Sequence, residues 1–339
     1  MTGPLPRRLG ATGLYVSAVG LGTNNFGTRL DERRSHAVLD AAVELGVTLL
    51  DTADVYGFGA SESIIGSWLA SHRDEVVVAT KVGMDEEVGG TRIGSSAVQI
   101  KRGVQDSLRR LRTDHVDLLQ LHVGDPLTPL DETLRAVDDL VRAGAVRYVG
   151  VSNYAAWELA RICERALGSD RAPIVSVQVG YSLLDRRVED ELIPACEALG
   201  VGLLAYRPLA RGLLTGKYQP GSPPPEGTRL ALQPEVAATT LTDENLAVVG
   251  RVAAYAAARD LTVVDVAMSW LLTRSAVTSI LVGASSPEQL AANVAAATWI
   301  PSASDLTELE ALLPPAPATD LGTRSLRRVP PTTLRMERR

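Results

Sequence analysis

Eight short apolar runs, separated by helix-period segments, constrain this chain more than any other feature. The runs are Ala18–Thr23, Thr48–Thr52, Val76–Val82, Val116–His122, Val146–Ser152, Val175–Val179, Gly202–Tyr206 and Ser279–Gly283. They are rich in Val, Leu and Ile and hardly alternate with polar residues. That is the pattern of parallel strands buried on both faces. Between them, segments such as Glu32–Leu45, Ser61–Ser71, Ser96–Leu111, Leu130–Ala143 and Ala155–Leu167 carry apolar residues at helical spacing. Eight strand-then-helix units in series predict an α/β chain closed into a (β/α)8 TIM barrel, not an open sheet.

The open, doubly wound alternative would draw its support from Gly20-Leu-Gly22-Thr-Asn-Asn-Phe-Gly27. The last glycine there is two places too far for a dinucleotide fingerprint, and the next helix starts only after Leu30. That alternative is rejected. The chain has 339 residues, which one α/β barrel accommodates, so residues 1–313 are expected to form a single catalytic barrel domain. Arg8–Val16, with a Thr12-Gly13 turn, predicts a hairpin capping the barrel floor. Gly216–Leu230 is a Pro- and Gly-rich loop after the seventh strand, in a position where this architecture carries function. Thr242–Arg259, Val263–Thr273 and Pro287–Ala297 read as further helices. Residues 314–339 turn to Pro, Thr and Arg, a tail expected to be extended or disordered unless it packs back on the barrel.

Composition excludes several classes of function. A net charge of −6 with mixed signs, and no Lys/Arg stripe with interleaved aromatics, argues against a nucleic-acid surface. Met1–Arg8 has no apolar stretch of the signal-peptide kind, and no run approaches a membrane span. Cys163 and Cys196 have no metal or redox spacing, so a reduced, cytoplasmic protein is expected. No histidine pair has metal-ligand spacing, and no metal site is expected. His36, His72 and His115 read as surface residues.

Polar residues collect at the carboxyl ends of the predicted strands. Asp51 closes the second strand and Tyr56 follows it; Lys81 ends the third and His122 the fourth. In a barrel those ends share one face. Hydride delivery to a carbonyl leaves an alkoxide that needs a proton from a positioned acid. A nearby ammonium brings a tyrosine's proton affinity down, so Lys81 would activate Tyr56 while Asp51 keeps Lys81 charged and aimed. His122 would either bond the substrate oxygen or hand Tyr56 its proton. Of the 34 basic residues only Lys81, Lys101 and Lys217 are lysines. A compact, tunable ammonium where arginine is the norm singles out Lys81. Each residue also has a plain alternative, as a strand-end cap, a rim tyrosine or a satisfied core imidazole.

The blocks Leu-Asp51-Thr-Ala-Asp-Val-Tyr56-Gly, Ala-Thr-Lys81-Val-Gly, Leu-Gln-Leu-His122, Val-Gly-Val-Ser152-Asn153-Tyr, Leu-Thr-Gly-Lys217-Tyr and Gly283-Ala-Ser285-Ser-Pro-Glu-Gln289-Leu carry a family resemblance. In order and each at a strand end, they resemble the aldo-keto reductase superfamily from about Arg8 to Leu313. The resemblance implies NADP(H)-dependent reduction of an aldehyde or ketone, with Asp51, Tyr56, Lys81 and His122 as the catalytic tetrad. It implies that Ser152, Asn153 and Gln178 bond the nicotinamide carboxamide and that Tyr206 stacks on the ring. Ser152-Asn153 would otherwise cap the following helix, and Tyr206 would be barrel core. Lys217 and Arg229 are similar to the loop cations that hold the cofactor's phosphates, and Ser285, Gln289 and Asn293 to its adenosine-phosphate contacts. Gly22, Thr23, Asp51, Pro208, Leu209, Gly212 and Gly283 complete the implied cofactor contacts.

Two departures from the family pattern matter. Arg207 stands where Ser is usual, either adding a phosphate contact or reshaping the pocket. Ala292 replaces a usual Glu, and Gly283–Asn293 contains no Lys or Arg for a 2′-phosphate. The small-molecule carbonyl substrate is expected among the loops Asn24–Arg29, Gly57–Phe58 and Val123–Leu127 and the loop after the seventh strand. Phe26, Phe58 and Trp157 would line the pocket or serve as packing. Two rival functions stay open: a lyase or aldolase forming a Schiff base on Lys81, and an NADP(H)-binding regulatory subunit with little turnover.

Overall fold

The computed structural model describes residues 5–84, 86–88, 91–168 and 171–314. Its elements run β1 (Arg7–Arg8), β2 (Tyr15–Val16), β3 (Val19–Gly22), α1 (Glu32–Glu44), β4 (Leu49–Asp51), α2 (Ala60–Leu69), β5 (Val77–Val82), β6 (Glu86–Val88), β7 (Thr91–Ile93), α3 (Ala97–Leu111), β8 (Val116–Leu121) and α4 (Leu130–Arg142). They continue with β9 (Val146–Ser152), α5 (Ala156–Leu167), β10 (Ile174–Gly180), α6 (Leu192–Leu199), β11 (Gly202–Tyr206), α7 (Pro234–Thr240), α8 (Asp243–Ala257), α9 (Val263–Leu272), β12 (Val277–Val282), α10 (Pro287–Ala296) and α11 (Ala303–Leu312). Eight parallel strands close a barrel in the order β10-β11-β12-β3-β4-β5-β8-β9, with β9 pairing back to β10. The architecture is the (β/α)8 barrel that the eight apolar runs predict. The helix-like segment around Cys196 is α6, whereas the antiparallel β6–β7 pair and the helices α7 and α11 are not marked in the sequence pattern. The strands of that pair are three residues each, too short to leave a periodic signal.

Alternation along each strand divides the core in two. Outward-facing residues such as Leu50, Leu119, Leu203 and Ile280 pack under the helices in one large cluster. Inward-facing Leu49, Ala79, Leu118, Leu204 and Leu281 form a separate plug inside the barrel with Leu9 and Val16 of the β1–β2 hairpin. The hairpin therefore does cap the floor. It fits because Gly10 and Gly202 leave room: a Cβ on Gly10 would stand 2.6 Å from the Gly200 carbonyl oxygen, and one on Gly202 would stand 2.7 Å from the Gly10 nitrogen.

Helix starts follow capping chemistry. Asp31, Ser96, Thr242, Thr262, Ser286 and Ser302 each accept a backbone N–H at their helix's first turn. The three histidines expected at the surface are half-buried and engaged. His36 Nε2 lies 3.0 Å from Ser67 Oγ, and His72 stacks on Trp68 with ring centroids 4.1 Å apart. His115 lies 2.7 Å from the Asp114 carboxylate. The tail expected over 314–339 falls, from residue 315 on, outside the described residues. No helix among the described residues is long and apolar enough to cross a membrane.

Candidate active site

Two residues beyond the apolar plug, the same inward face turns polar. Leu49 is followed on that face by Asp51, Ala79 by Lys81, Leu118 by Gln120 and then His122, and Leu204 by Tyr206. Tyr56 arrives from a tight turn after β4, where Gly57, Phe58 and Gly59 all take positive φ (58°, 55° and 88°) and swing the chain back over the barrel mouth. The four polar side chains singled out at strand ends thus meet. Lys81, 1% exposed, donates to Asp51 Oδ1 and Oδ2 at 2.9 and 2.8 Å and to the Thr52 carbonyl at 2.8 Å, and its Nζ lies 3.3 Å from the Tyr56 hydroxyl. Asp51 Oδ1 also accepts from the amides of Gln178 at 2.7 Å and Gln120 at 3.3 Å. The Tyr56 and His122 rings stand edge to face, with centroids 6.3 Å apart.

Burial pulls the Lys81 ammonium toward its neutral form, but the Asp51 carboxylate at contact outweighs this, and its proton affinity ends above the usual lysine value. From sequence, Lys81 is expected to lower the pKa of Tyr56; the net direction is opposite. Burial of the phenol raises it, Lys81 offsets only part, and the Asp51 charge raises it further. The reason is first the burial of the phenol and then that Asp51 already offsets the ammonium that Tyr56 faces. His122 is held neutral, pushed down to about 3 by burial and then by the Lys81 cation, and its Nδ1 is buried without a partner. Behind this layer sits a carboxylate that sequence reasoning missed. Asp54, whose N–H donates to the Lys81 carbonyl, is raised to about 7 by burial and by the neighbouring Glu62. Glu62 is itself fully buried and bonded to Arg110 and Thr80.

A cavity of about 1040 Å³ opens over these groups. That is the top of the usual range for small-molecule sites, enough for a dinucleotide with a small substrate. Gly22, Asp51, Tyr56, His122, Ser152, Asn153, Gln178, Tyr206, Arg207, Pro208, Leu209, Gly212, Lys217, Arg229, Gly283, Ser285, Gln289 and Asn293 all line it. Lys81 stands just behind its wall. Thr23 does not reach it; its hydroxyl is spent on the Asp51 carbonyl and Ser61. Ser152 and Asn153 do not cap α5, which begins after Ala155. Asn153, at φ 61°, instead ties the His122 carbonyl to the Tyr206 hydroxyl, through bonds of 3.0 and 2.7 Å. Gln178 directs its amide to Asp51, so it supports that carboxylate as well as facing the cavity.

Of the three aromatics expected near the pocket, none lines this cavity. Phe26 is fully buried in the outer core and Phe58 fully exposed, while Trp157 lines an adjoining cleft that shares Asn153, Tyr206, Arg207 and Arg211. The Asn24–Arg29 loop expected at the pocket does line it, through Asn24, Asn25 and Arg29, but neither Arg29 nor Arg211 is marked in the sequence as a cavity cation.

The donor set fits a dinucleotide phosphate. Arg29, Arg207, Arg211, Lys217 and Arg229 line one cavity, and none of them pairs with a carboxylate among the described residues. Burial and then mutual repulsion lower the pKa of Arg229, with Arg207, Arg211 and Arg29 all contributing. Arginine still stays charged, so only an anion relieves the cluster. Arg207, Ala210 and Arg211 adopt φ of 56°, 46° and 62°. Left-handed backbone at non-glycine residues costs on the order of 1–3 kcal/mol each and concentrates at functional sites. Tyr206 adds a ring wall beside Gly180, where a Cβ would crowd the ring at 3.2 Å. No group of three or more His, Cys, Asp or Glu among the described residues is placed to hold a metal.

A family model described as the Aldo/keto reductase family matches residues 18–314. The chain is 37% identical to an uncharacterized oxidoreductase of Bacillus subtilis, over 83% of this chain and 87% of the relative. It is 36% identical to the L-glyceraldehyde 3-phosphate reductase of Escherichia coli, over 86% of each chain. A probable voltage-gated potassium channel subunit beta from Oryza sativa is 33% identical, over 87% of this chain and 92% of the relative.

Proposed function

Because this chain belongs to the aldo/keto reductase family, we propose that it reduces an aldehyde or ketone to an alcohol with NADPH, Tyr56 serving as general acid. Family membership makes it an oxidoreductase; the coenzyme form, the proton donor and the substrate are the parts proposed. The observation that carries the reading is the Lys81 ammonium, held by Asp51 and the Thr52 carbonyl and set 3.3 Å from the Tyr56 hydroxyl at the cavity wall.

A reduced nicotinamide, when bound, supplies the hydride. Ser152, Asn153 and Gln178 would hold its carboxamide, and Tyr206 would fix the face it presents. Lys217 and Arg229, with Arg207, Arg211 and Arg29, would hold the diphosphate. The alkoxide left on the substrate takes the Tyr56 proton, and the phenolate so formed sits against an ammonium already in place. Asp51 keeps that ammonium protonated throughout. The high proton affinity of Tyr56 does not oppose this, since an alkoxide is a far stronger base than a phenolate. His122, neutral with its pKa near 3, donates a hydrogen bond to the carbonyl oxygen. A neutral imidazole has no spare proton to hand to Tyr56, which favours the carbonyl-orienting role over the relay.

Two rivals lose support. Schiff-base chemistry needs an amine nucleophile, and Lys81 is a buried, ion-paired ammonium with its proton affinity raised. A regulatory subunit without turnover would not need Tyr56 aligned on Lys81 at the cavity wall. Consumption of NADPH with a panel of aldehydes and ketones, a phosphorylated aldehyde included, tests the reading. Tyr56→Phe is expected to cut kcat by about 10²–10⁴-fold with NADP+ affinity retained. Wild-type-like turnover by that variant overturns the assignment, and absence of turnover across the panel in the wild type favours the regulatory reading.

A further inference from the structure

Three groups of residues line the cavity: Tyr56, His122 and Tyr206; the cations Arg207, Arg211, Lys217 and Arg229; and Ser285, Gln289 and Asn293 on the β12–α10 loop and α10. If the nicotinamide lies against the first and the diphosphate against the second, the adenosine falls at the third, which is then the far end of the site. This ordering rests on the function proposed above.

That far end raises a question of charge. NADPH differs from NADH by one phosphate on the adenosine ribose, and selectivity needs a group that answers it. Residues Gly283–Asn293 offer no Lys or Arg. The fold supplies one from elsewhere. α1 packs against α10, and Arg34 in the first turn of α1 donates from Nη2 to the Ser285 carbonyl at 3.4 Å. It makes no ion pair with any carboxylate among the described residues. Ser285 meanwhile donates its N–H and Oγ–H to Gln289 Oε1, at 2.7 and 2.8 Å. The guanidinium is thus set beside the residues that face the cavity's far end, 251 positions away in sequence from the carbonyl it touches.

We propose that Arg34 reads the 2′-phosphate of NADP(H) and is the residue that sets coenzyme selectivity in this chain. An arginine at this position of a dinucleotide favours the 2′-phosphate, whereas a carboxylate favours the free 2′-hydroxyl of NAD(H). The planar guanidinium suits a phosphate better than an ammonium does, and a weak bond to one carbonyl leaves most of its five donors unused. Glu288, in the first turn of α10, is occupied with the Ser286 hydroxyl and does not supply the carboxylate that NAD(H) would want.

The test is equilibrium binding of NADP+ and NAD+ to the intact protein, by calorimetry, with no turnover required. A charge-assisted contact of this kind predicts that Arg34→Ala weakens NADP+ by about 10–100-fold, with NAD+ changed by less than about twofold. Arg34→Glu moves the preference further toward NAD+, and Arg34→Lys restores part of the NADP+ affinity. The exposed neighbour Arg33, changed to Ala, leaves both affinities as they were. Equal losses for both coenzymes in Arg34→Ala, or no loss for either, overturn the role of Arg34 while the function proposed for the cavity stands. A wild-type protein that binds neither dinucleotide sinks both.

Discussion

The inside of this barrel is built twice from the same strands, and the two layers do opposite things. On the floor, Leu49, Ala79, Leu118, Leu204 and Leu281 meet Leu9 and Val16 in a plug of apolar side chains. Two residues further along, the mouth holds Asp51, Lys81, Gln120 and Gln178, tied together by bonds of 2.7–3.3 Å, with Tyr206 beside them bonded to Asn153. The floor gains from removing apolar surface from water and needs no partner geometry. The mouth hides an ammonium and a carboxylate, 1% and 4% exposed, and that arrangement holds only while every partner stays. Fold stability and reactivity are thereby separated by two residues per strand.

Mutations can break or sharpen that division. The largest effect is expected at the mouth. Asp51→Asn removes the carboxylate paired with the buried Lys81 ammonium, which should cost about 3–5 kcal/mol in urea denaturation and remove most turnover at once. On the floor, Leu118→Ala should cost about 2–5 kcal/mol yet leave kcat per folded molecule unchanged at low temperature. If kcat falls there as far as it does in Asp51→Asn, the two layers are not independent.

A smaller effect concerns pH. Asp54 keeps its proton in the folded chain up to about 7, well above its ordinary value of 3.8. Between those values the folded state holds a proton that the unfolded chain has released, so stability falls as pH rises through this window and levels off above it. At about 1.4 kcal/mol per pKa unit, the full difference is on the order of 4 kcal/mol. Asp54→Asn should flatten the slope, gaining on the wild type between pH 5 and 8 in thermal denaturation. Parallel curves would show that Asp54 has a partner the buried geometry does not reveal.

What could be read from the chain follows from what has a period. The strands were legible because buried parallel strands leave continuous apolar runs, and Asp51, Lys81 and His122 because each interrupts such a run at its carboxyl end. Tyr56 was legible only by the chemistry its neighbours require. Arg29, Arg34, Arg211 and Asp54 leave no such signal: three are ordinary loop or helix charges in sequence, and the fourth is one acid among many. Phe26 and Phe58 lie close to the site in sequence, yet a turn sends one into the outer core and the other into solvent.

The sequence by itself determined the barrel, its hairpin floor and the four residue types at its mouth, because alternation along a strand and the convergence of strand ends are properties of local order. Only the tertiary structure decided the electrostatics. Whether Lys81 lowers the proton affinity of Tyr56 depends on how much of its charge Asp51 has already cancelled and how far the phenol is from water. Which cation stands beside Ser285 depends on α1 packing against α10. Distances and burial are sums over residues far apart in the chain, and no window of sequence contains them.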